Sequence, residues 1–215
     1  MRKVFKVIST VLLTVLLIPL FWVGTAQADV YSNYRQLASK QTENKDYRIT
    51  SYDGPSSTAV IAIHGGKIEI GTCQLAKSVA KKTNSDLYTF EGIKKSNNNI
   101  LHITSSKFNE PIGKKLVAKS KKTLSIHGCQ GSISVTYVGG LDKKLGSKVK
   151  AELKKAGFSA VNAPKRLAGT HPNNICNKNL SKKGVQIELT YKMRQSLLKD
   201  KKLYSKYVNA LCKAL

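Results

Sequence analysis

The sequence predicts a single α/β domain in which helices flank a mixed, mostly parallel β-sheet. Short apolar runs alternate along the chain with amphipathic segments of helical period, an order that is typical of helices packed on a sheet. The run at residues 58–63 is continuously apolar and contains β-branched residues, as expected for a central strand buried on both faces. The sequence contains no repeat, long linker or low-complexity tract, so one domain accounts for its length.

The first 28 residues are predicted to be a cleaved signal peptide. Arginine and lysine precede an apolar run over residues 7–23, and Ala26-Gln27-Ala28 matches the small-residue pattern of a cleavage site. A retained membrane anchor is the alternative, because the run approaches the roughly 18 residues of a spanning helix. The cleavage pattern favours removal, so we expect a secreted, extracellular protein, associated with the cell wall, whose domain spans residues 29–215.

The elements of this domain are predicted from periodicity and caps. Residues 31–44 are expected to be helical. A helix capped by Thr72 carries Lys81 and Lys82 in its last turn, where cations interact favourably with the helix dipole. A second helix starts after Asp142 and ends at Gly157. Strands are predicted at residues 58–63, 87–90, 100–104, 123–126, 134–138, 160–162 and 185–190, followed by a helical tail from residue 194.

All four cysteines lie in the predicted mature domain. They are Cys73, Cys129, Cys176 and Cys212. An even number of cysteines in a secreted protein permits up to two disulfides, in three possible pairings that the sequence does not choose between. Buried free thiols are the alternative, because unpaired cysteine is common in protein cores.

The chain is strongly cationic, with a formal net charge of +25. Its lysines are spread along the sequence in many short pairs, which predicts a diffuse positive field rather than a reader of nucleic-acid sequence. We therefore expect an anionic extracellular polymer as the partner and no specific nucleic acid. A surface that is charged only for solubility is the alternative.

Two histidines share one context. His64 and His127 each end an apolar run and are each followed by glycine, and open α/β sheets place their sites at the ends of strands. Glu69 follows His64 across a short glycine-containing loop that can return its carboxylate to the same point. Two imidazoles and one carboxylate form the ligand set of a catalytic zinc ion. A single histidine at a strand end is more often structural, but the repeated context favours a metal site at His64, Glu69 and His127.

Glu188 is an acid inside an apolar strand, where burial is unfavourable without a partner. Alternation could instead turn it towards solvent. The chain lacks the Gly-x-Ser-x-Gly motif of serine hydrolases, and a thiol mechanism through Cys129 is less favoured because catalytic cysteine and histidine usually come from distant segments. His102 and His171 lack the following glycine and are left as substrate-side or structural residues.

Six segments in this order resemble the poly-γ-glutamate hydrolase family of bacilli and their phages. They are residues 63–72 (IHGGKIEIGT), 101–105 (LHITS), 125–129 (SIHGC), 137–140 (YVGG), 174–177 (NICN) and 185–189 (VQIEL). The resemblance implies a zinc-carboxypeptidase-like fold with one zinc ion held by His64, Glu69 and His127. It also implies that Glu188 is the general base.

The expected activity is hydrolysis of γ-glutamyl amide bonds in poly-γ-glutamate by a metal-activated water. Arg194 is a candidate for binding a substrate carboxylate through paired hydrogen bonds, with a surface ion pair as the alternative role. The protein is expected to be a monomer. Two other functions stay open, a zinc amidase acting on cell-wall peptides and a non-catalytic wall protein that binds polyanions.

Overall fold

The structure, a computed structural model, describes residues 29–215. The predicted signal peptide at residues 1–28 lies outside the described residues. Within the described part of the chain, no helix has the length and apolar character needed to cross a bilayer.

Seven strands form one sheet in the order β1-β3-β2-β4-β7-β5-β6. The pairs β2–β3, β2–β4, β4–β7 and β5–β6 are parallel, whereas β1–β3 and β5–β7 are antiparallel. The predicted mixed, mostly parallel sheet is therefore confirmed. The strands are β1 (Tyr47–Tyr52), β2 (Thr58–Gly66), β3 (Asp86–Gly92), β4 (Lys122–Cys129), β5 (Thr136–Gly140), β6 (Ala160–Asn162) and β7 (Val185–Thr190).

Helices cover both faces of the sheet and create two cores. Residues from α2, α4, α5 and α6 join one apolar cluster, and residues from α1 and α3 join the other. The helices are α1 (Tyr34–Ala38), α2 (Thr72–Thr83), α3 (Pro111–Lys119), α4 (Lys143–Lys155), α5 (Tyr191–Lys199) and α6 (Lys201–Ala214).

Strand β2 supplies side chains to both cores. Val60 and Ala62 pack in the first cluster, while Ala59, Ile61 and Ile63 pack in the second. All five are fully buried at 0% exposure, because successive side chains of a strand point to opposite faces of the sheet. The continuous apolar run at residues 58–63 thus correctly predicted a central strand.

The predicted caps are partly confirmed. The carboxylate of Asp142 accepts the backbone N–H of Leu145 at 2.9 Å, and Gly157 has the positive φ of 78° expected of a helix terminator. The N-cap predicted at Thr72 is wrong, because it lies one residue too far along the chain. Gly71 is the N-cap of α2, and the Thr72 hydroxyl instead donates to the carbonyl of Glu69.

The strand predicted at residues 100–104 is wrong. Residues Asn98–Leu101 form a 3₁₀ helix, and residues 102–104 belong to no strand of the sheet. Leu101 and Ile103 are fully buried and alternate with more exposed polar residues, which is the burial pattern of a strand. The backbone bonds locally instead, since the N–H of His102 donates to the carbonyl of Asn99 at 3.1 Å. Two further elements, β1 and α3, were not predicted. Of the helix predicted at residues 31–44, only α1 (Tyr34–Ala38) is helical.

The four cysteines carry free thiols and form no disulfide in the described structure. Each belongs to a different element, namely α2, β4, the 3₁₀ helix Ile175–Asn177 and α6. Burial raises the pKa of Cys73 and of Cys176 to about 12. The alternative of unpaired thiols therefore describes the structure, and the domain relies on its apolar cores.

The double burial of β2 gives a stability prediction. Ile61→Ala removes a fully buried side chain and should lower the free energy of unfolding by about 2–5 kcal/mol. Ile133→Ala makes the same chemical change at a side chain that is 64% exposed, and should alter it by less than about 0.5 kcal/mol. Urea unfolding of both variants tests the difference, and equal losses would contradict the assigned core.

Candidate metal centre

Three parallel strands bring the predicted site residues to one edge of the sheet. His64 lies near the end of β2, and His127 lies near the end of its neighbour β4. Strand β7 pairs with β4 in a register that sets Glu188 opposite His127. Residues that are far apart in sequence therefore meet because the strands run in the same direction and end together.

The loop after His64 returns Glu69 to the same point. Gly66 has a φ of 65°, and a Cβ atom there would lie 2.4 Å from the carbonyl oxygen of Gly92. Only glycine combines this left-handed conformation with such a close approach. The backbone N–H of Glu69 donates to the carbonyl of His64 at 2.9 Å, which closes the loop.

The ligand atoms of His64, Glu69 and His127 lie within 4.8 Å of one another. The two histidine Nδ1 atoms are 3.1 Å apart. Oxygen Oε1 of Glu69 is 3.1 Å from His64 Nδ1, and Oε2 is 3.8 Å from His127 Nδ1. Two nitrogens bound to one tetrahedral zinc ion would be about 3.3 Å apart. The spacing and the donor types therefore fit a zinc ion.

Both imidazoles are oriented by a partner on the far side of the ring. Nε2 of His64 is 2.9 Å from the carbonyl oxygen of Ile103, so this nitrogen carries the proton and donates it. Nε2 of His127 is 2.8 Å from the hydroxyl of Ser125. These bonds turn the Nδ1 atoms towards each other. Metal-binding histidines usually have such an outer partner.

Protonation within the cluster follows from its burial and charges. Burial and the nearby charge of His64 lower the pKa of His127 to about 3, so its imidazole is neutral, the form that binds metals. Burial alone would lower the pKa of His64, but the carboxylate of Glu69 raises it overall. Burial likewise opposes ionisation of Glu69, yet the histidines and the backbone N–H of Gly128 lower its pKa overall. His64 and Glu69 thus favour each other's charged forms.

Glu188 lies beside this cluster but is not one of the three residues that could hold the ion. It is 6% exposed, and the side-chain amide of Gln186 donates to its Oε1 at 2.9 Å. Burial and then the negative charge of Glu69 raise the pKa of Glu188 well above its ordinary value. The result is a carboxyl group that holds its proton more strongly than an ordinary glutamate, as acids at functional sites often do.

An open cleft of about 410 Å³ leads to the cluster. Its floor contains the predicted ligands and Glu188, and its walls include His102, Lys165, Arg166 and His171. Lys165 and Arg166 are exposed. The pair could not be recognised from the sequence, because nothing in its local sequence separates it from the many other basic pairs.

Arg194 has a different environment from the one expected of a substrate clamp. It is 5% exposed and is not among the residues that line the cleft. Its guanidinium donates to the carbonyls of Leu189, Ile70 and Cys129 at 3.3, 2.8 and 3.3 Å. These contacts tie together three segments around the site and do not support direct binding of a substrate carboxylate.

Burial of Glu188 predicts a pH-dependent stability. An acid whose pKa is higher in the folded state stabilises the fold below its unfolded pKa, and this contribution is lost as pH rises. In the metal-free protein, Glu188→Gln should therefore raise stability by about 1–3 kcal/mol at pH 8 and by much less at pH 4. The exposed Glu43 provides the control variant Glu43→Gln. Urea unfolding with a chelator tests this, and a gain that is independent of pH would contradict it.

Comparison with known proteins finds relatives that match most of this chain. YndL of Bacillus subtilis (strain 168) is 37% identical over 171 residues, which cover 79% of this chain and 67% of YndL. The SPbeta prophage-derived protein YoqZ of the same strain is 39% identical over 173 residues, which cover 79% of this chain and 62% of YoqZ. This chain thus spans about two thirds of the length of these relatives.

Two solved structures superpose on nearly the whole described domain. A bacteriophage poly-γ-glutamate hydrolase matches with a TM-score of 0.84 and 31% identity, covering 87% of this chain and 96% of the other. A zinc-free apo structure of YndL matches with a TM-score of 0.78 and 32% identity, covering 87% and 97%. The family described as poly-γ-glutamate hydrolase matches residues 31–211. The chain therefore belongs to the poly-γ-glutamate hydrolase family, a family of hydrolases.

Proposed function

We propose that this protein is a secreted zinc-dependent hydrolase that cleaves the γ-glutamyl amide bonds of poly-γ-glutamate. The observation that carries the proposal is the cluster of His64, Glu69 and His127, whose ligand atoms lie within 4.8 Å of one another beside the buried Glu188. Membership of the family and the likeness to the phage hydrolase support the substrate. The zinc-free description of YndL supports the choice of metal.

The proposed cofactor is one zinc ion held by His64 Nδ1, His127 Nδ1 and the carboxylate of Glu69. When bound, zinc would lower the pKa of a coordinated water and polarise the amide carbonyl. The protein's contribution is to orient the ligands. The carbonyl of Ile103 and the hydroxyl of Ser125 hold the two imidazoles, and the N–H of Gly128 holds Glu69 at 2.7 Å.

Glu188 is the proposed general base. Its carboxylate removes a proton from the attacking water and returns that proton to the leaving amine, so the same group serves both halves of the reaction. The raised pKa of Glu188 suits this exchange, because a carboxylate with a raised pKa is a stronger proton acceptor than an ordinary one. Gln186 fixes the carboxylate through its amide donor.

The basic wall of the cleft suits the proposed polymer. Each residue of poly-γ-glutamate keeps a free α-carboxylate, so the chain carries a regular row of negative charges. Lys165 and Arg166 are exposed on the cleft wall, where a guanidinium can bind a carboxylate through two hydrogen bonds. We propose these two residues, in place of Arg194, as contacts for the substrate.

Secretion of the protein rests on the predicted signal peptide at residues 1–28. Amino-terminal sequencing of the protein recovered from culture medium should begin at Asp29.

Product analysis separates the proposed substrate from cell-wall peptide, since glutamate oligomers are expected from the former. Release of wall peptides alone would instead favour a zinc amidase.

The two acids of the site should respond differently to the same substitution. Glu188→Gln should retain zinc and lower the single-turnover rate by about 10² to 10⁴, because it removes only the proton acceptor. Glu69→Gln should lower zinc affinity, because a neutral amide replaces an anionic ligand. Zinc content and single-turnover rates of both variants test the assignment. Zinc loss or near-normal turnover in Glu188→Gln would refute its role as base.

Removal of the two basic wall residues should weaken substrate binding. Lys165→Ala/Arg166→Ala should raise KM for poly-γ-glutamate by about 10- to 100-fold, the effect of losing hydrogen bonds to charged groups. It should also reduce the dependence of kcat/KM on salt. Lys201→Ala/Lys202→Ala removes the same charge from exposed residues outside the cleft and is the matched control. Equal effects in the two variants would show that only net charge matters.

A further inference from the structure

Asp29 is a buried carboxylate beside the candidate metal centre. Its side chain is 4% exposed, although it is the first described residue of the domain. Oxygen Oδ1 accepts the Nδ1 hydrogen of His102 at 2.9 Å, and Oδ2 accepts the backbone N–H of Thr104 at 2.9 Å. The ammonium of Lys107 lies 3.9 Å from Oδ2. The carboxylate of Asp29 therefore bonds both the residue before Ile103 and the residue after it.

The held segment contacts the ligand His64 in two ways. The carbonyl oxygen of Ile103 accepts the Nε2 hydrogen of His64 at 2.9 Å. The ring of His102 packs against the ring of His64 with centroids 4.0 Å apart and an angle of 31° between the planes. The orientation of His64 Nδ1 towards the metal position thus depends on where residues 102–104 lie.

Residues 102–104 lack the backbone ladder that usually fixes such a segment, because they belong to no strand of the sheet. The short helix Asn98–Leu101 ends immediately before them. Asp29 supplies hydrogen bonds that a neighbouring strand would otherwise provide. Burial of an ionised carboxylate is unfavourable unless its oxygens are satisfied, and here both oxygens are engaged by this segment.

We propose that Asp29 is a positioning residue of the metal centre, which fixes the orientation of His64 by holding the segment of residues 102–104. The inference rests on the proposed zinc site. Asp29 belongs neither to the three candidate ligands nor to the residues that line the cleft. Its effect on zinc passes through the carbonyl of Ile103 and the ring of His102, as outer partners of metal ligands act in other proteins.

Asp29→Asn tests the proposal with little change in size. An amide carries no negative charge, and its NH2 group can bond His102 Nδ1 only if the imidazole changes tautomer, so the pair of bonds to His102 and Thr104 is weakened. We expect the dissociation constant for zinc, measured by chelator competition, to rise about 10- to 100-fold. Asp53→Asn is the matched control, because Asp53 pairs with Lys119 at the surface and its side chain is 75% exposed. A dissociation constant within about twofold of wild type in Asp29→Asn would overturn the proposal.

Cobalt substitution separates positioning from a general loss of stability. If Asp29 positions His64, the visible spectrum of the cobalt-loaded Asp29→Asn protein should differ from wild type, whereas Asp53→Asn should match wild type. His102→Ala keeps the bond from Thr104 to Asp29 and should weaken zinc binding less than Asp29→Asn does. If His102→Ala has the zinc affinity and cobalt spectrum of wild type, the contact between the rings of His102 and His64 has no role. This test does not depend on whether Asp29→Asn folds.

The same measurements distinguish failure of this inference from failure of the proposed function. If the wild-type protein binds no zinc, both are overturned. If the wild-type protein binds zinc and Asp29→Asn binds it equally well with an unchanged cobalt spectrum, only the role of Asp29 is lost.

Discussion

Parallel pairing of β2, β4 and β7 is the constraint on which the candidate site depends. His64, His127 and Glu188 lie on these three strands, and the register of β4 with β7 places His127 opposite Glu188. A shift of one residue would turn each side chain to the other face of the sheet. Strand β2 contributes to both apolar cores, and β4 and β7 contribute to the first. The packing that stabilises the domain therefore also fixes the geometry of the site.

The surroundings of Glu69 and Glu188 shift the pKa values of these two neighbouring carboxyl groups in opposite directions. Glu69 lies against two imidazoles and a backbone N–H, which favour its ionised form. Glu188 is buried near that negative charge, which favours its protonated form. A pair of acids whose pKa values are pushed apart is the arrangement by which one site can hold a cation and also transfer a proton. The side chain that bonds Glu188 directly is Gln186, which is neutral, whereas Glu69 contacts two imidazoles.

Irregular segments next to the strand ends are held partly by side chains. Arg194 donates to the carbonyl of Ile70 in the loop that carries Glu69, and to the carbonyls of Cys129 and Leu189 in β4 and β7. A Cβ atom at Gly128 would lie only 2.5 Å from Nε of Arg194. The carboxylate of Asp29 bonds His102 and Thr104 beside His64. Both charged side chains are buried and hydrogen-bonded, as buried polar groups generally are.

From the sequence alone, periodicity located the central strand and the helices α2 and α4, with the cap of α4 correct and the cap of α2 one residue off. The repeated context of histidine followed by glycine, together with the family resemblance, indicated His64, Glu69 and His127 as candidate ligands. These signals lie in short stretches of neighbouring residues. The environment of Arg194 and the conformation of residues 100–104 emerged only in the folded structure. Arg194 bonds the carbonyl of Ile70, which is distant in sequence, and residues 102–104 pair with no strand of the sheet. Such contacts form only when the strands are assembled, so no local pattern could reveal them.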